Sequence, residues 1–334
     1  MTFYPHVANR IRENKNKALY AIATGRDLTK LEVKEKAALS MSTVISAVEE
    51  LVKRGLVTYA ERKGERGGKP HSVLNAHPMR RVYGISYKSG VLTAVACDLK
   101  GEQREVLSQQ AGEGAPPLQS VLSLALALKE RAPAPLCVAL SLNCNDKEYL
   151  LKGLEDGLSV KALSSTNTAA LAHLALWRGA RLPLVAVGVG NSVKCALIDG
   201  AGYKTIDLGA LPSPCLFGED GTVASALSAA RVEEVLRHSD YRANCCLRNG
   251  RLLHPADLGE YSRALAEAIA STLKTVDLFL APREIVLFGE YLSEAFFERI
   301  DEKMGDKNLK YYSADRSSFA LGSALVALID GVFN

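Results

Sequence analysis

The chain has 334 residues, enough for two or three compact units, and its 48% hydrophobic, 23% charged composition excludes a disordered or fibrous protein. Its charge is unevenly divided. Residues 1–81 hold 16 Lys/Arg and 8 Asp/Glu, a balance of +8, whereas the remaining 25 Lys/Arg and 29 Asp/Glu balance at −4. A basic end on a mildly acidic remainder is typical of a protein whose one end binds a polyanion. A solvated basic surface without a partner is the alternative that charge leaves open.

The sequence predicts neither a membrane span nor a disulfide framework. No uncharged apolar run reaches 18 residues, and MTFYPHVANR lacks the pattern of a secretion signal, so we expect a cytoplasmic protein with no membrane partner. The seven cysteines are scattered without a CxxC pair, which predicts reduced thiols packed in cores. Cys245 and Cys246 are adjacent, but no second pair lies at ligand spacing, so we expect no structural zinc.

Apolar residues at helical spacing predict three helices in the first part of the chain, over residues 6–23, 30–38 and 41–54. Thr29 and Glu32 form a capping-box pattern at the start of the second helix. A tight turn follows, in which Ser40 is the expected N-cap of the third helix, and Gly55 supplies the C-terminal stop of that helix.

The third predicted helix has an apolar stripe and an outer face of short side chains. The stripe consists of Val44, Val48, Leu51 and Val52. The residues left on the outer, N-terminal part are Ser42, Thr43, Ser46 and Ala47. A helix that enters the major groove of DNA needs such a face, because hydroxyls there reach base edges or phosphates without steric conflict.

A strand pair with a basic, glycine-rich connection is predicted after the third helix. Strands over 56–59 and 72–75 flank residues 61–70, in which glycines alternate with Arg and Lys. A mobile wing of this kind brings cations to phosphates or into a minor groove. These features predict a winged helix-turn-helix that binds double-stranded DNA, and a three-helix protein-interaction module is the alternative. The predicted DNA contacts are Ser40, Ser42, Thr43, Ser46, Arg62, Lys63, Arg66 and Lys69.

Beyond residue 80 the sequence alternates predicted strands and helices. The strands are 81–86, 91–98, 136–140, 183–188, 193–198 and 284–289, and the helices are 118–129, 168–177, 258–280 and 320–328. Two units that each open with a strand–turn–strand element indicate an internal duplication on an α/β plan. A cleft between two such halves is the expected place for a ligand.

Several stretches match one known family in order and spacing. In the predicted winged-helix segment the matching stretches are Asn14 with Asn16, and residues 39–44, 50–56 and 67–70. In the part of the chain beyond residue 80, called the body below, they are residues 164–171, 188–200, 284–289 and 322–324. With these stretches the chain resembles the ROK family (repressors, open reading frames and sugar kinases) nearly end to end. In the family, the four body stretches correspond to an Asn-Asp-x-Asn motif, a phosphate loop and two glycine motifs on the adenosine side.

The resemblance implies an α/β actin-like ATPase fold (ribonuclease H-like) of two halves, preceded by a winged helix-turn-helix domain, in a homodimer or larger homo-oligomer. The implied domains are residues 1–76 for the winged helix, 80–181 plus 312–334 for the first half, and 182–311 for the second.

Departures from the family pattern remove the catalytic groups. Ser86 stands where the kinases have the aspartate that orients metal and phosphates, and Ser165 where they have the aspartate that deprotonates the sugar. A serine hydroxyl is no base near neutral pH and a poor metal ligand. Ala210 replaces a zinc-binding histidine, and the family's zinc cysteine cluster is absent from the sequence. We therefore expect no enzyme activity, no catalytic residue, no cofactor and no metal, with a fused sugar kinase as the alternative.

The implied effector is a sugar or a sugar phosphate. Its candidate ligands are Asn143, Asn145, Ser165, Asn167 and Asp207. Each has a plainer role as alternative, because loop asparagines form turns and an asparagine before a helix caps it. His173, at a position where a sugar-contacting residue is common, is as well explained by a surface position. The sequence thus predicts a transcriptional regulator, a repressor involved in carbohydrate metabolism, and the alternative is a regulator whose body only oligomerises.

Overall fold

The structure is a computed structural model. It describes residues 8, 11–62, 71–88, 90–112, 116–142, 146–190, 192–199, 202–212, 221–228, 231–232, 247–248, 251–252, 259–289, 292, 294–305, 308–312 and 315–334. The chain divides into two compact units, the first formed by residues 1–174 with 316–334 and the second by residues 175–315. None of the helices in these ranges combines the length and the apolar character needed to cross a bilayer.

The helices are α1 (Asn14–Thr24), α2 (Lys30–Ala37), α3 (Met41–Lys53), α4 (Leu118–Arg131), α5 (Lys147–Leu158), α6 (Asn167–Trp177), α7 (Val223–Leu227), α8 (Gly259–Leu280), α9 (Glu294–Met304) and α10 (Arg316–Val326), which continues into a π-helical segment, Ala327–Val332. The strands are β1 (Val57–Arg62), β2 (His71–Ala76), β3 (Arg81–Lys88), β4 (Val91–Asp98), β5 (Gln103–Gln110), β6 (Pro135–Ser141), β7 (Lys161–Ser165), β8 (Leu184–Val189), β9 (Val193–Ile198), β10 (Tyr203–Asp207), β11 (Leu247–Arg248), β12 (Arg251–Leu252), β13 (Glu284–Gly289) and β14 (Leu309–Tyr311).

The N-terminal segment through β2, called the head below, contains among its described residues the helices α1, α2 and α3 and an antiparallel pair, β1 with β2. The helix predicted over residues 6–23 is not continuous in these residues. Glu13 has extended backbone before α1, and Ile11 is buried outside the helix. The prediction of helix is therefore wrong at residues 11–13, because an apolar residue at helical spacing can enter the core from a non-helical segment. The predicted start at residue 6 lies outside the described residues.

The caps of α2 and α3 confirm the predictions made from local sequence. Thr29 Oγ1 accepts a hydrogen bond from the backbone N–H of Glu32 at 3.2 Å, and the Glu32 carboxylate accepts one from the backbone N–H of Thr29 at 2.6 Å. Ser40 Oγ accepts from the backbone N–H of Thr43 at 3.2 Å. Gly55 follows α3 with a φ of 63°, the left-handed conformation that glycine adopts without strain.

Removing the Thr29 hydroxyl is expected to destabilise the head. The Thr29→Ala variant should lose about 1 kcal/mol of unfolding free energy, whereas Thr29→Ser, which keeps the hydroxyl, should stay near the parent. Thr29 also lowers the pKa of Glu32 by hydrogen bonding to the carboxylate. Because the pKa of Glu32 is lower in the folded protein, its carboxylate stabilises the fold at a pH above the ordinary carboxyl pKa of 4.5. This stability is lost as the pH falls through the lowered pKa of the folded protein. Urea unfolding at neutral and acidic pH measures both effects, and equal stability of the two variants at neutral pH would contradict the cap.

The sheet of the first unit has the strand order β5-β4-β3-β6-β7. The first three strands of the chain in this sheet form an antiparallel meander, and β6 and β7 then run parallel to β3. Helices α4 and α5 pack on it through residues such as Val121 and Leu154. Helix α10 packs against β3 where Gly84 leaves room for its backbone.

The sheet of the second unit repeats this plan with the order β10-β9-β8-β13-β14. Again a three-stranded antiparallel meander comes first, and two strands follow that run parallel to its first strand. Its apolar core includes residues of α8 and α9, for example Leu273 and Phe296. The same plan in both units agrees with the predicted internal duplication, and the two mixed sheets fit an actin-like ATPase fold.

The described cysteines are core residues, as the sequence predicts. Cys97, Cys137 and Cys195 are buried and not disulfide-bonded. Burial raises the pKa of Cys137 and of Cys195 to about 11, and raises that of Cys97 further, so these thiols stay protonated and inert at neutral pH. The other four cysteines lie outside the described residues.

Candidate nucleic-acid interface and candidate ligand site

One exposed side of α3 carries Ser42, Ile45, Ser46, Glu49 and Lys53. These positions are spaced i, i+3, i+4, i+7 and i+11, which places them on one side of a helix. Ala47, predicted on this face, is buried together with Val44, Val48 and Leu51, so that prediction is wrong. The apolar stripe turns slightly further around the helix than expected, and Ile45, 39% exposed, takes the outer position that Ala47 was assigned.

The hydroxyls at the start of α3 form a small cluster. The Ser40 oxygen lies 2.9 Å from that of Ser42 and 2.7 Å from that of Thr43, in addition to capping the helix. Ser40 and Ser42 are both exposed, and Ser40 is additionally committed to the helix cap. The cluster lies at the positive end of the helix dipole, which favours a phosphate or another anion.

Arg62, the first predicted wing cation, lies at the end of β1. Its guanidinium Nη1 donates to the backbone oxygen of Asp27 at 3.2 Å and lies 3.8 Å from the Glu32 carboxylate. These contacts direct Arg62 toward the turn before α2. The other predicted wing contacts, Lys63, Arg66 and Lys69, lie outside the described residues.

The head is joined to the rest of the first unit by specific contacts. Arg80 donates from Nε to the backbone oxygen of Gly55 at 2.9 Å and from Nη2 to that of Arg54 at 3.2 Å, which satisfies carbonyls at the end of α3. Tyr20 of α1 meets Phe333 edge to face, with ring centroids 5.3 Å apart, and both residues are fully buried. These contacts fix α3 relative to the sheet of the same unit.

A row of serines crosses the sheet of the first unit. Ser86 pairs in register with Ser141, and Ser141 with Ser165, so the three occupy equivalent positions on β3, β6 and β7. In-register residues of neighbouring strands point to the same face, and all three serines are buried. The row offers hydroxyl groups and contains no carboxylate, so it can form hydrogen bonds but cannot remove a proton from a substrate near neutral pH.

Asn167 extends this row. Its side-chain oxygen accepts a hydrogen bond from Ser141 Oγ at 2.7 Å, which leaves its amide nitrogen as a donor. The alternative role of Asn167 as a helix cap is taken by Thr166, whose hydroxyl accepts from the backbone N–H of Ala169 at 3.1 Å. Lys147 Nζ donates to the backbone oxygen of Ser165 at 2.5 Å. The structure thus brings Ser165 and Asn167 together.

Of the other predicted ligands, the structure describes Asp207. Asp207, at the end of β10, belongs to the second unit, is exposed, and accepts a hydrogen bond from the backbone N–H of Gly209 at 2.8 Å. Asn143 and Asn145 lie outside the described residues. Among the residues that the structure describes, no group of three or more His, Cys, Asp or Glu side chains is arranged to hold a metal ion.

His173 lies in the core, so the alternative of a surface position is wrong. Its ring is fully buried, with Nδ1 2.8 Å from the backbone oxygen of Ala169 and Nε2 3.0 Å from the Asp330 carboxylate. Nδ1 must carry a proton, because a carbonyl oxygen only accepts. The partner that makes burial possible lies in the π-helical segment at the C-terminal end, 157 residues away in sequence.

No family model and no curated protein matches the sequence. By structure, the chain is similar to a ROK family transcriptional regulator described as a homologue of the E. coli MLC protein, with a TM-score of 0.74, 13% identity, and 98% of each chain covered. It is also similar to a ROK hexokinase from Thermus thermophilus (TM-score 0.59, 14% identity, 75% of this chain and 99% of the other). A ROK glucokinase from Streptomyces griseus, solved with glucose and AMPPNP, gives a TM-score of 0.59 and 12% identity over 73% of this chain and 98% of the other. At these identities the likeness establishes a shared fold.

Proposed function

We propose that the chain is a DNA-binding transcriptional regulator, most simply a repressor, whose kinase-like body has no catalytic role. The observation that carries the proposal is the exposed face of α3, which holds short side chains at the dipole-positive start of a helix in a segment of net charge +8. The structural likeness supports it. The similar regulator covers 98% of this chain, whereas the hexokinase and the glucokinase leave about a quarter without a counterpart.

On this proposal, α3 reads bases while cations elsewhere in the head attract phosphates. The N-terminal part of its exposed face, with Ser42, Ile45 and Ser46, carries no Arg or Lys, whereas Glu49 and Lys53 lie further along the same side. Ser42 and Ser46 are short enough to allow close approach, and the apolar Ile45 suits the C5-methyl group of thymine. The wing, with Lys63, Arg66 and Lys69 beside Arg62, would supply the phosphate contacts.

The wing contribution is tested by the salt dependence of DNA binding. Replacing Arg66 and Lys69 with Ala is expected to lower the slope of log affinity against log salt by about 2, because each phosphate contact contributes roughly 0.9. Replacing Lys152 and Lys161, two exposed lysines of the first unit, is the matched control and should leave the slope near the parent value. An unchanged slope in the wing variant would remove the wing from the proposed interface.

The body, on this proposal, forms homodimers or larger homo-oligomers, so two half-sites lie one or more helical turns apart on one face of the duplex. It binds a sugar or a sugar phosphate through hydroxyl and amide groups, for which Ser165 and Asn167 are the described candidates of the first unit. Asn143, Asn145 and Asp207 are the other ligands that the sequence proposes. The alternative, a body that only oligomerises, predicts no thermal stabilisation by any member of a panel of sugars and sugar phosphates.

The absence of sugar kinase activity is a further expectation. Incubation with ATP, magnesium and a panel of hexoses should give no phosphorylated product above background, because the serine row has no group that accepts the sugar proton. A purified sugar kinase in the same assay is the positive control. Turnover by this chain above background would favour the second candidate function, a kinase fused to a DNA-binding head. The likeness to the hexokinase and the glucokinase supports that candidate.

A further inference from the structure

A cavity of about 340 Å³ lies where the head joins the sheet of the first unit. Its wall is formed by the segment after β2, by the first residue of β3 and by the turn between β4 and β5. The polar side chains that line it are His77, Arg81, Asp98, Lys100 and Arg104. A volume of this size is within the range of small-molecule sites in proteins.

The carboxylate among these side chains is already occupied. Asp98 Oδ1 accepts from the backbone N–H groups of Lys100 at 2.8 Å and Glu102 at 3.0 Å. Its Oδ2 accepts from Arg104 Nε at 2.8 Å and from Arg104 Nη2 at 2.5 Å. Four donors use the capacity of the carboxylate, and the charge of Arg104 is shared between Asp98 and the Glu102 carboxylate, which accepts from Arg104 Nη2 at 2.6 Å.

The other polar side chains of the cavity are donors. Arg81 Nη1 donates to the backbone oxygens of Pro78 and Arg80, but its Nε–H is buried and has no acceptor among the described residues. A buried donor without a partner is costly, and this favours an acceptor placed against the Arg81 guanidinium.

Two further donors border the same space. His77 Nδ1 accepts from the backbone N–H of Met79 at 3.2 Å, and in the neutral ring this places the proton on Nε2. Lys100, in the turn after β4, has neither an ion-pair nor a side-chain hydrogen-bond partner in the described part of the chain. The cavity therefore combines three side-chain donors, two of them cationic, with a carboxylate that is fully used.

We propose that this cavity binds a small anion, a phosphate or a carboxylate group, held by Lys100, Arg81 and His77. The position gives the anion a structural consequence. The segment that carries His77 follows β2, and Arg80 in the same segment donates to the backbone oxygen of Gly55 at the end of α3. An anion in the cavity would therefore contact both this segment and the sheet of the first unit. A phosphate here has two possible sources, a free phosphorylated metabolite or the backbone of bound DNA.

The test uses the full chain and inorganic phosphate, titrated by calorimetry at constant ionic strength in a buffer without other polyvalent anions. Wild-type protein is expected to bind phosphate saturably. Lys100→Ala should weaken binding about tenfold or more, because one charge-assisted hydrogen bond is lost, and Lys100→Arg should recover most of it. Lys129→Ala, a half-buried lysine at the end of α4, is the control and should stay within about twofold. No saturable binding, or equal affinity in wild type and Lys100→Ala, would overturn the proposal.

Adding a short DNA duplex distinguishes the two sources. Displacement of phosphate by the duplex, with weaker duplex binding by Lys100→Ala, assigns the site to DNA phosphates. Phosphate binding that is unchanged by the duplex assigns it to a free anion. The phosphate titration succeeds or fails without DNA, so its outcome is independent of whether the chain is a DNA-binding regulator.

Discussion

The Gly84→Ala variant is expected to lose about 3 kcal/mol or more of unfolding free energy, because a single methyl group there has no space. A Cβ at Gly84 of β3 would lie 2.0 Å from the backbone oxygen of Ala320 and 2.1 Å from the backbone nitrogen of Ala324. Both atoms belong to α10, so the whole helix would have to move. Gly322 of α10 makes a similar approach to another element, since its Cβ would lie 2.2 Å from the backbone oxygen of Ala170 in α6.

The matched control is Gly153→Ala in α5. There the nearest atoms to an added Cβ are the terminal carbons of Leu118, which can change rotamer, and alanine gains helix propensity of roughly 0.5–1 kcal/mol. Urea unfolding should place this variant within about 1 kcal/mol of the parent. Similar losses at Gly84 and Gly153 would mean that α10 does not lie on β3 as described.

A second large effect is expected on the exposed face of α3, where Ser46→Glu should lower DNA affinity by about a hundredfold or more. The substitution removes a short side chain that allows close approach and places a carboxylate against the phosphates, and like charges in an interface cost several kcal/mol. Ser46 is exposed and contributes nothing to the apolar stripe, so the stability of the head should be unchanged. Fluorescence anisotropy with a labelled duplex measures the affinity.

Ser123→Glu is the control for this variant. It makes the same change at an exposed helical serine of α4, in the same compact unit but outside the head. Its DNA affinity should fall by no more than about twofold, since charges further away than a Debye length are screened. Equal losses in the two variants would indicate a general effect of net charge and would remove α3 from the interface.

Features set by neighbouring residues could be predicted from the sequence. The pairs Thr29–Glu32 and Ser40–Thr43 form the expected caps because donor and acceptor are three residues apart. Strands β3, β4, β6, β8, β9 and β13 are apolar runs bounded by turns, and the sequence predicts each of them within two residues at either end.

Elements whose own pattern is weak were missed. Strand β5 has the sequence QREVLSQQ and lies at the edge of its sheet, where polar side chains face solvent. Helix α5 contains Gly153 and Gly157, which argue against a helix locally, yet both face leucine side chains of α4 at a close approach. The secondary structure of such segments is decided by tertiary packing, and the local sequence pattern does not predict that packing.

The candidate ligand site was only partly predictable for the same reason. Ser165 and Asn167 could be singled out individually, but the row that joins Ser86, Ser141 and Ser165 depends on the register of three strands. Ser141 was missed because a serine at the end of an apolar strand is common. Its only distinguishing feature in the sequence is that it ends a buried strand, the position where parallel sheets bind ligands.

The central claim is that the chain binds DNA through its head, and electrophoretic mobility shift with the region upstream of its own gene tests it most directly. At low salt we expect a shift at micromolar or lower protein concentration, lost steeply as salt increases, with Ser46→Glu inactive and Ser123→Glu like the parent. The absence of any shift at low salt, at about ten times the concentration at which a known winged-helix protein shifts its own DNA, would contradict the account.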